Sequence, residues 1–337
     1  MQLPDPRGSM TRRLFTALLA DGREPVELPV DVPESADILT DDDAQLALYA
    51  CYQLHFQGFD NVDDRWEWHP AVLSFRAAVE ARFERALRDA VMLPARVTPE
   101  GVPQTLAQLI ADQGGPSLSQ FILRQASLDQ FRELLIHRSL YHLREADPHT
   151  FAIPRLAGRP KAALIEIQID EYGGGQLHRM HAELFRDTMT HLGLDTTPNA
   201  YLEQVPAITL ATNNVMSMFG LHRRLRGALL GQLAVFEMNS SLPNRRYGNG
   251  LRRLGSYPPA ATRFFDEHVE ADAVHEQIAA HDMCAAFCAA EPTQTQMVLF
   301  GAAAWLAIET RMNEHLFERW QRGQTSLRIS DQADATV

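Results

Sequence analysis

The sequence predicts an all-α protein, and three observations carry that prediction. Apolar residues recur at helical spacing through most of the chain. Alternating β-branched runs between turn residues, the mark of strands, are nearly absent. Breaks rich in Pro and Gly, at Pro94 to Pro103 and at Gly114-Gly115-Pro116, punctuate the periodic segments. No internal repeat or low-complexity block is visible.

In chain order, residues 1–40 are rich in Pro, Asp and Glu without sustained period, and read as a partly ordered arm. Asp41-Asp42-Asp43 then opens a helix running through Phe56, its acids placed where the N-terminal dipole favours them. A turn-like stretch leads to an amphipathic helix from Ala71 to about Met92, with Phe75, Ala78, Val79, Phe83 and Leu87 on the buried side. Ser127 and Gln130 form a capping box for the next helix. Phe131, Leu134 and Leu135 mark its apolar face, Glu145 falls roughly 40° from Phe131 on that face, and Asp147-Pro148 ends it. A helix from Lys161 to about Tyr172 is interrupted at Gly173-Gly174-Gly175 and resumes from Gln176 to about Leu192. Helical patterns follow at Ala207–Phe219, Leu221–Asn239, Pro259–Ala290 and Thr293–Gly323, before a frayed tail over 326–337.

The bulk numbers narrow the function classes. A chain of 337 residues buries a sizeable core in one large domain or two small ones. Its formal net charge of −12 argues against nucleic acid or an anionic membrane as the main partner. No apolar stretch reaches transmembrane length. Arg12-Arg13 precedes only a short apolar run with no A-x-A site, so no signal peptide is expected and the reading is cytoplasmic. Cys51, Cys284 and Cys288 form no disulfide framework and no CxxC pair, and Cys284 and Cys288, one helical turn apart, read as core residues.

The chemistry concentrates in Arg263 to Asp282. His268, Asp272 and His275 have H-x3-D-x2-H spacing, which a helix places at roughly 0°, 40° and −20° on one stripe. Phe264, Ala271, Ile278 and Ala279 share that stripe, while Asp266, Glu267, Glu270, Glu276 and Gln277 face away. Two imidazoles and a carboxylate on an apolar face must be partnered. They share either a metal ion or a satisfied hydrogen-bond cluster. Further ligands must come from other helices. Glu145 is one candidate, its bland alternative being a pair with Arg144 or Arg138. Glu237, on a stripe with Leu230, Leu233 and Ala234, is another. Glu171 and His181 are the third source. A straight helix would separate them by about 15 Å, so both can serve one site only if the three glycines break the helix. His178, one turn before His181, reads as a supporting or surface residue. Four carboxylates and three histidines exceed what one zinc ion takes and suit iron or manganese, as in helical bundles that bind two metals.

The segments LYHLREADPHTFAIPRL, DEYGGGQLHRMHAELF, FEMNSSLPNRRYGNGLRRLG and HVEADAVHE resemble the haem-oxygenase-like diiron oxidases and oxygenases, the iron-containing redox enzymes. The resemblance covers about residues 40–325. It implies a haem-oxygenase-like helical bundle as residues 41–325, with auxiliary helices in 41–97 and a metal-binding core in 98–325. It implies Glu145, His181, Glu237, His268, Asp272 and His275 as iron ligands. Glu171 matches the additional carboxylate of the members that oxygenate nitrogen. The cofactor implied is two iron ions cycling between Fe(II) and Fe(III), with O2 as co-substrate and manganese as the substitute metal.

The expected function is therefore O2-dependent oxidation of a small metabolite, leaning to N-oxygenation of an amine or guanidine-like group, with an external electron donor where the reaction needs one. Oxidative C–C cleavage of an amino acid or fatty acid is the alternative. A non-catalytic haem- or ligand-binding protein of the same fold is the reading from a different class; for any of these readings the resemblance implies a homodimer. Haem fits poorly, because it would leave four inward carboxylates unpaired. A thiaminase-like hydrolase would need an activated nucleophile, which the cysteines do not offer. Asn213, Asn214, Arg226 and Tyr247 are expected as polar substrate contacts.

Overall fold

The structure, a computed structural model, describes residues 1–23, 26–29 and 37–328, without the side chains of 271–273. Its regular elements are all helical among the described residues. They group into two compact units. None of the helices is long and apolar enough to cross a membrane.

One unit holds the chain up to Ala90, Tyr201–Met218 and the segment from Leu327. The N-terminal arm contains a helix the sequence reading missed, Ser9–Leu18, with Met10, Leu14, Phe15 and Leu18 buried. Asp43 anchors it by accepting from the backbone N–H groups of Met10 and Thr11, each at 2.8 Å. The acid placed at the start of helix Asp42–Gln53 therefore also caps a neighbour. Helix Pro70–Asp89 starts on a His69 cap and buries Phe75, Val79, Phe83 and Leu87.

The other unit holds Val91–Ala200 and Phe219–Ser326, and all seven candidate ligands fall in it. Its spine is the long helix Thr295–Gln321 packed on Arg226–Met238. Two glycines set that packing. A Cβ on Gly231 would lie 1.8 Å from the Val298 carbonyl oxygen, and one on Gly301 would lie 1.9 Å from that of Ala228. The two backbones therefore touch, and the helix carrying Glu237 is fixed in place.

Three expectations change. Ser241–Leu254 is a helix although Pro243, Gly248 and Gly250 weaken it locally. Packing overrides propensity there, since a Cβ on Gly250 would sit 2.8 Å from the Ile122 carbonyl oxygen. The expected continuous helix Pro259–Ala290 is segmented into Arg263–Gln277, a π-helical stretch Ile278–Ala285 and Ala286–Ala290. Glu145 is not on a helix face: helix Leu128–His142 stops three residues earlier, and the chain turns through Ala146 at φ 74°.

Candidate metal centre

Each candidate donor reaches the interior through a local device. The Ser127–Gln130 capping box starts helix Leu128–His142 as expected, with reciprocal bonds of 3.2 and 2.9 Å. Beyond its end, Glu145 is buried in the turn, and the His142 imidazole meets it with Nδ1 at 2.7 Å from Oε1. Arg138 forks onto Glu309, and Arg144 donates to the Leu140 carbonyl.

Glu171 is the last residue of helix Gly158–Glu171. Gly173, Gly174 and Gly175 follow at φ 61°, 61° and 76°, a left-handed run other residues resist. A Cβ on Gly173 would lie 2.4 Å from the Arg179 carbonyl carbon, so the returning chain needs that glycine. The reversal starts helix His181–His191 with its first side chain turned back, His181 Nδ1 standing 3.0 Å from Glu171 Oε2. His178 is exposed.

Helix Arg263–Gln277 presents His268 and His275, both buried. His268 Nδ1 donates to the Phe264 carbonyl at 2.8 Å, so in the neutral ring the lone pair sits on Nε2, 3.7 Å from Glu145 Oε1. His275 has Nδ1 3.2 Å from Glu237 Oε2 and Nε2 3.0 Å from Asp170 Oδ2. Asp272 lies between them on the same helix, and its side chain is outside the described residues.

The outcome is two groups of donor atoms sharing one carboxylate. Glu145, Glu171, His181 and His268 form the first; Glu171, Glu237 and His275 form the second. Within each group the ligand atoms lie within 4.8 Å of one another. Glu145 Oε2, Glu171 Oε2 and His181 Nδ1 are buried without a hydrogen-bond partner. The last two are close but out of alignment for a hydrogen bond, the arrangement of two ligands aimed at a third atom. Carboxylate and imidazole donors of this kind fit iron or manganese.

The electrostatics show what the cluster costs. Burial pushes the Glu237 carboxyl up, with the Glu171 charge adding to it and His275 opposing. Burial would also raise Glu145, but the His142 and His268 imidazoles hold it well below the usual carboxylate range. Burial would lower His275, yet Glu237 and Asp170 outweigh it and push the ring up to about 9. Aromatic rings wall the first group: Phe264 packs tilted against His268 at 4.4 Å, and Phe185 lies 5.0 Å from Phe264, by ring centroids.

A family of iron-containing redox enzymes matches residues 132–310, which is 179 of 337 residues and includes every candidate ligand. The chain belongs to this family. The iron-containing redox enzymes thus supply the metal and the reaction class, oxidoreduction, to which the donor cluster is suited. A curated relative is the nitrosourea synthase of Streptomyces achromogenes subsp. streptozoticus, 28% identical over 139 residues, or 41% of this chain. That match covers only 29% of the relative's own length.

Two neighbours of the donors were not singled out from the sequence. His142 precedes Glu145 by three residues, a spacing that could have flagged it, and Asp170 is adjacent to Glu171. Of the four expected polar substrate contacts, the structure places Tyr247 on the cavity beside the first group. Asn213 and Asn214 are buried, with amides donating to Thr209 and Gln45, and Arg226 pairs with Glu291.

Proposed function

We propose that this chain is a nonhaem diiron oxidase or oxygenase acting on a small metabolite. The observation that carries the proposal is the pair of buried donor groups joined through Glu171. Glu145, His181 and His268 would hold one iron, Glu237 and His275 the other, with Glu171 common to both and Asp272 supplied by the same helix as the two histidines. Bound iron would supply the activation of O2. The chain's own residues do the rest. Phe185 and Phe264 keep water from the first group. The Phe264 carbonyl fixes the His268 tautomer. Asp170, by accepting from His275 Nε2, leaves Nδ1 turned toward Glu237.

Within this class we favour N-oxygenation. Its support is Glu171 at the shared position, together with similarity to a protein named for making a nitrosourea, a compound in which a nitrogen bears oxygen. The test is metal analysis followed by O2 consumption by the Fe(II)-loaded protein with small amines, amino acids and fatty acids. Two irons per chain, no Soret band and amine-dependent O2 uptake are expected. A Soret band would point instead to a haem-binding protein, and a product shorter by carbon to oxidative C–C cleavage. His268→Ala and Asp272→Ala should each abolish O2 uptake. Full turnover in either variant would overturn the site.

A further inference from the structure

A cavity of about 300 Å3 lies against the first donor group and is lined at that end by His142, His268 and Phe264. Three polar residues elsewhere on its wall differ in how their hydrogen bonds are spent. Arg138 forks onto Glu309, so its charge is already matched. Arg246 is held only by the hydroxyls of Ser117 and Ser119, at 3.4 and 3.2 Å, and pairs with no carboxylate among the described residues. Asn313 keeps a buried Oδ1 without a hydrogen-bond partner.

The lining therefore carries two arginines against one glutamate. Guanidiniums against carboxylates, the wall is net positive by one, in a protein of net charge −12. A guanidinium fixed by neutral hydroxyls and facing a cavity is matched to a planar anion. The remaining wall mixes apolar side chains, among them Leu134, Phe236 and Trp305, with polar ones such as Gln113 and Asn244, and so has room for a carbon skeleton beside the acid group.

We infer that the cavity is the substrate site and that Arg246 binds a carboxylate of the substrate, which is thus a small carboxylate-bearing amine rather than a simple cationic amine. Asn313 Oδ1 accepts an N–H from the same molecule. The inference rests on the reading of the neighbouring donors as the redox centre. It adds that recognition is by the acid group at one place and oxidation at another.

The test is calorimetric binding to the iron-loaded protein under nitrogen, where no turnover occurs, with three matched pairs as probes. These are 6-aminohexanoate and hexylamine, norleucine and pentylamine, and 3-phenylpropionate and 3-phenylpropanol. The wild type should prefer the acid in at least one pair, by about tenfold or more, the usual worth of a hydrogen bond to a charged group. Arg246→Gln should erase that preference while binding the uncharged or amine partner as before, and Arg246→Lys should restore part of it. Arg246 is on the cavity wall and only part-buried, and thermal melting of each variant checks that it folds. Equal binding of acid and partner by the wild type in all three pairs, or an unchanged preference in Arg246→Gln, overturns the inference. Acid preference without any O2 uptake would retain the carboxylate site and sink the oxygenase reading. O2 uptake without acid preference would do the reverse.

Discussion

Glu171→Gln distinguishes a shared metal ligand from a structural ion pair, because the two roles predict opposite signs. The Glu171 and Glu237 oxygens lie within 4.8 Å of each other in the second group. At that separation two like charges repel by roughly 3.5 kcal/mol at an effective dielectric of about 20. Glu237 already yields to this pressure, its carboxyl pushed up by burial and then by Glu171. Against that gain, His181 loses a carboxylate 3.0 Å away. The net expectation for the metal-free variant is about 1 kcal/mol of added stability, or ~2 °C in Tm.

With iron the sign reverses. A ligand at about 100 times its Kd stabilises by roughly 2.7 kcal/mol, and a hundredfold loss of affinity leaves roughly 0.4 kcal/mol. The second group should suffer more, since losing Glu171 leaves it two donors where the first group keeps three. Anaerobic calorimetry with and without Fe(II), beside iron counts after desalting, measures both effects. A variant that melts several degrees lower without metal, yet keeps two irons and the full iron-induced rise in Tm, would refute the reasoning.

Three further outcomes are expected. Asp170→Ala removes the acceptor from His275 Nε2 and should weaken one of the two Fe(II) equivalents about tenfold, read by anaerobic titration. His137 is buried against Ser326 and held down at about 3, by burial first and then by His315 and Arg138. The unfolded chain takes up that proton near pH ~6.5 and the native protein only near 3. Stability therefore falls as pH drops below about 6.5, by roughly 1.4 kcal/mol per unit; melting at pH 7.5 and 5 should show a smaller drop in His137→Asn than in wild type. Gly301→Ala drives a Cβ to 1.9 Å from the Ala228 carbonyl oxygen and should cost about 3 kcal/mol or more, seen as a fall in denaturation midpoint.

Helix periodicity made most of the architecture legible, because burial in this chain follows the 3.6-residue repeat closely enough to read. The three glycines were legible for a different reason. Only a break could bring Glu171 and His181 together, and the structure puts their side chains 3.0 Å apart. What the sequence hid depends on tertiary contact. Helix Ser241–Leu254 carries Gly248 and Gly250, which read as breakers until another segment is seen pressed against them. Glu145 was placed on a helix face by an angle that assumed the helix continued, whereas the chain had already turned at Ala146. Arg246 gave no signal, since its meaning lies in which hydroxyls reach it and which carboxylates do not.

The donors share a placement that bears on why they need a cation. Glu171 is the final residue of its helix, and Glu237 is next to last in Arg226–Met238. His181 instead opens its helix. A helix C-terminus carries partial negative charge, so it penalises a carboxylate, and an N-terminus penalises a protonated imidazole. A cluster kept only for stability would put its acids at N-termini and its cationic rings at C-termini. Here Glu171 and Glu237 are placed where the dipole opposes them, buried, and close enough to repel. Each of these penalties turns into attraction once a positive ion stands among the side chains. The two C-terminal backbone ends and the carboxylates they carry then act in the same direction, toward binding a metal rather than holding the fold together.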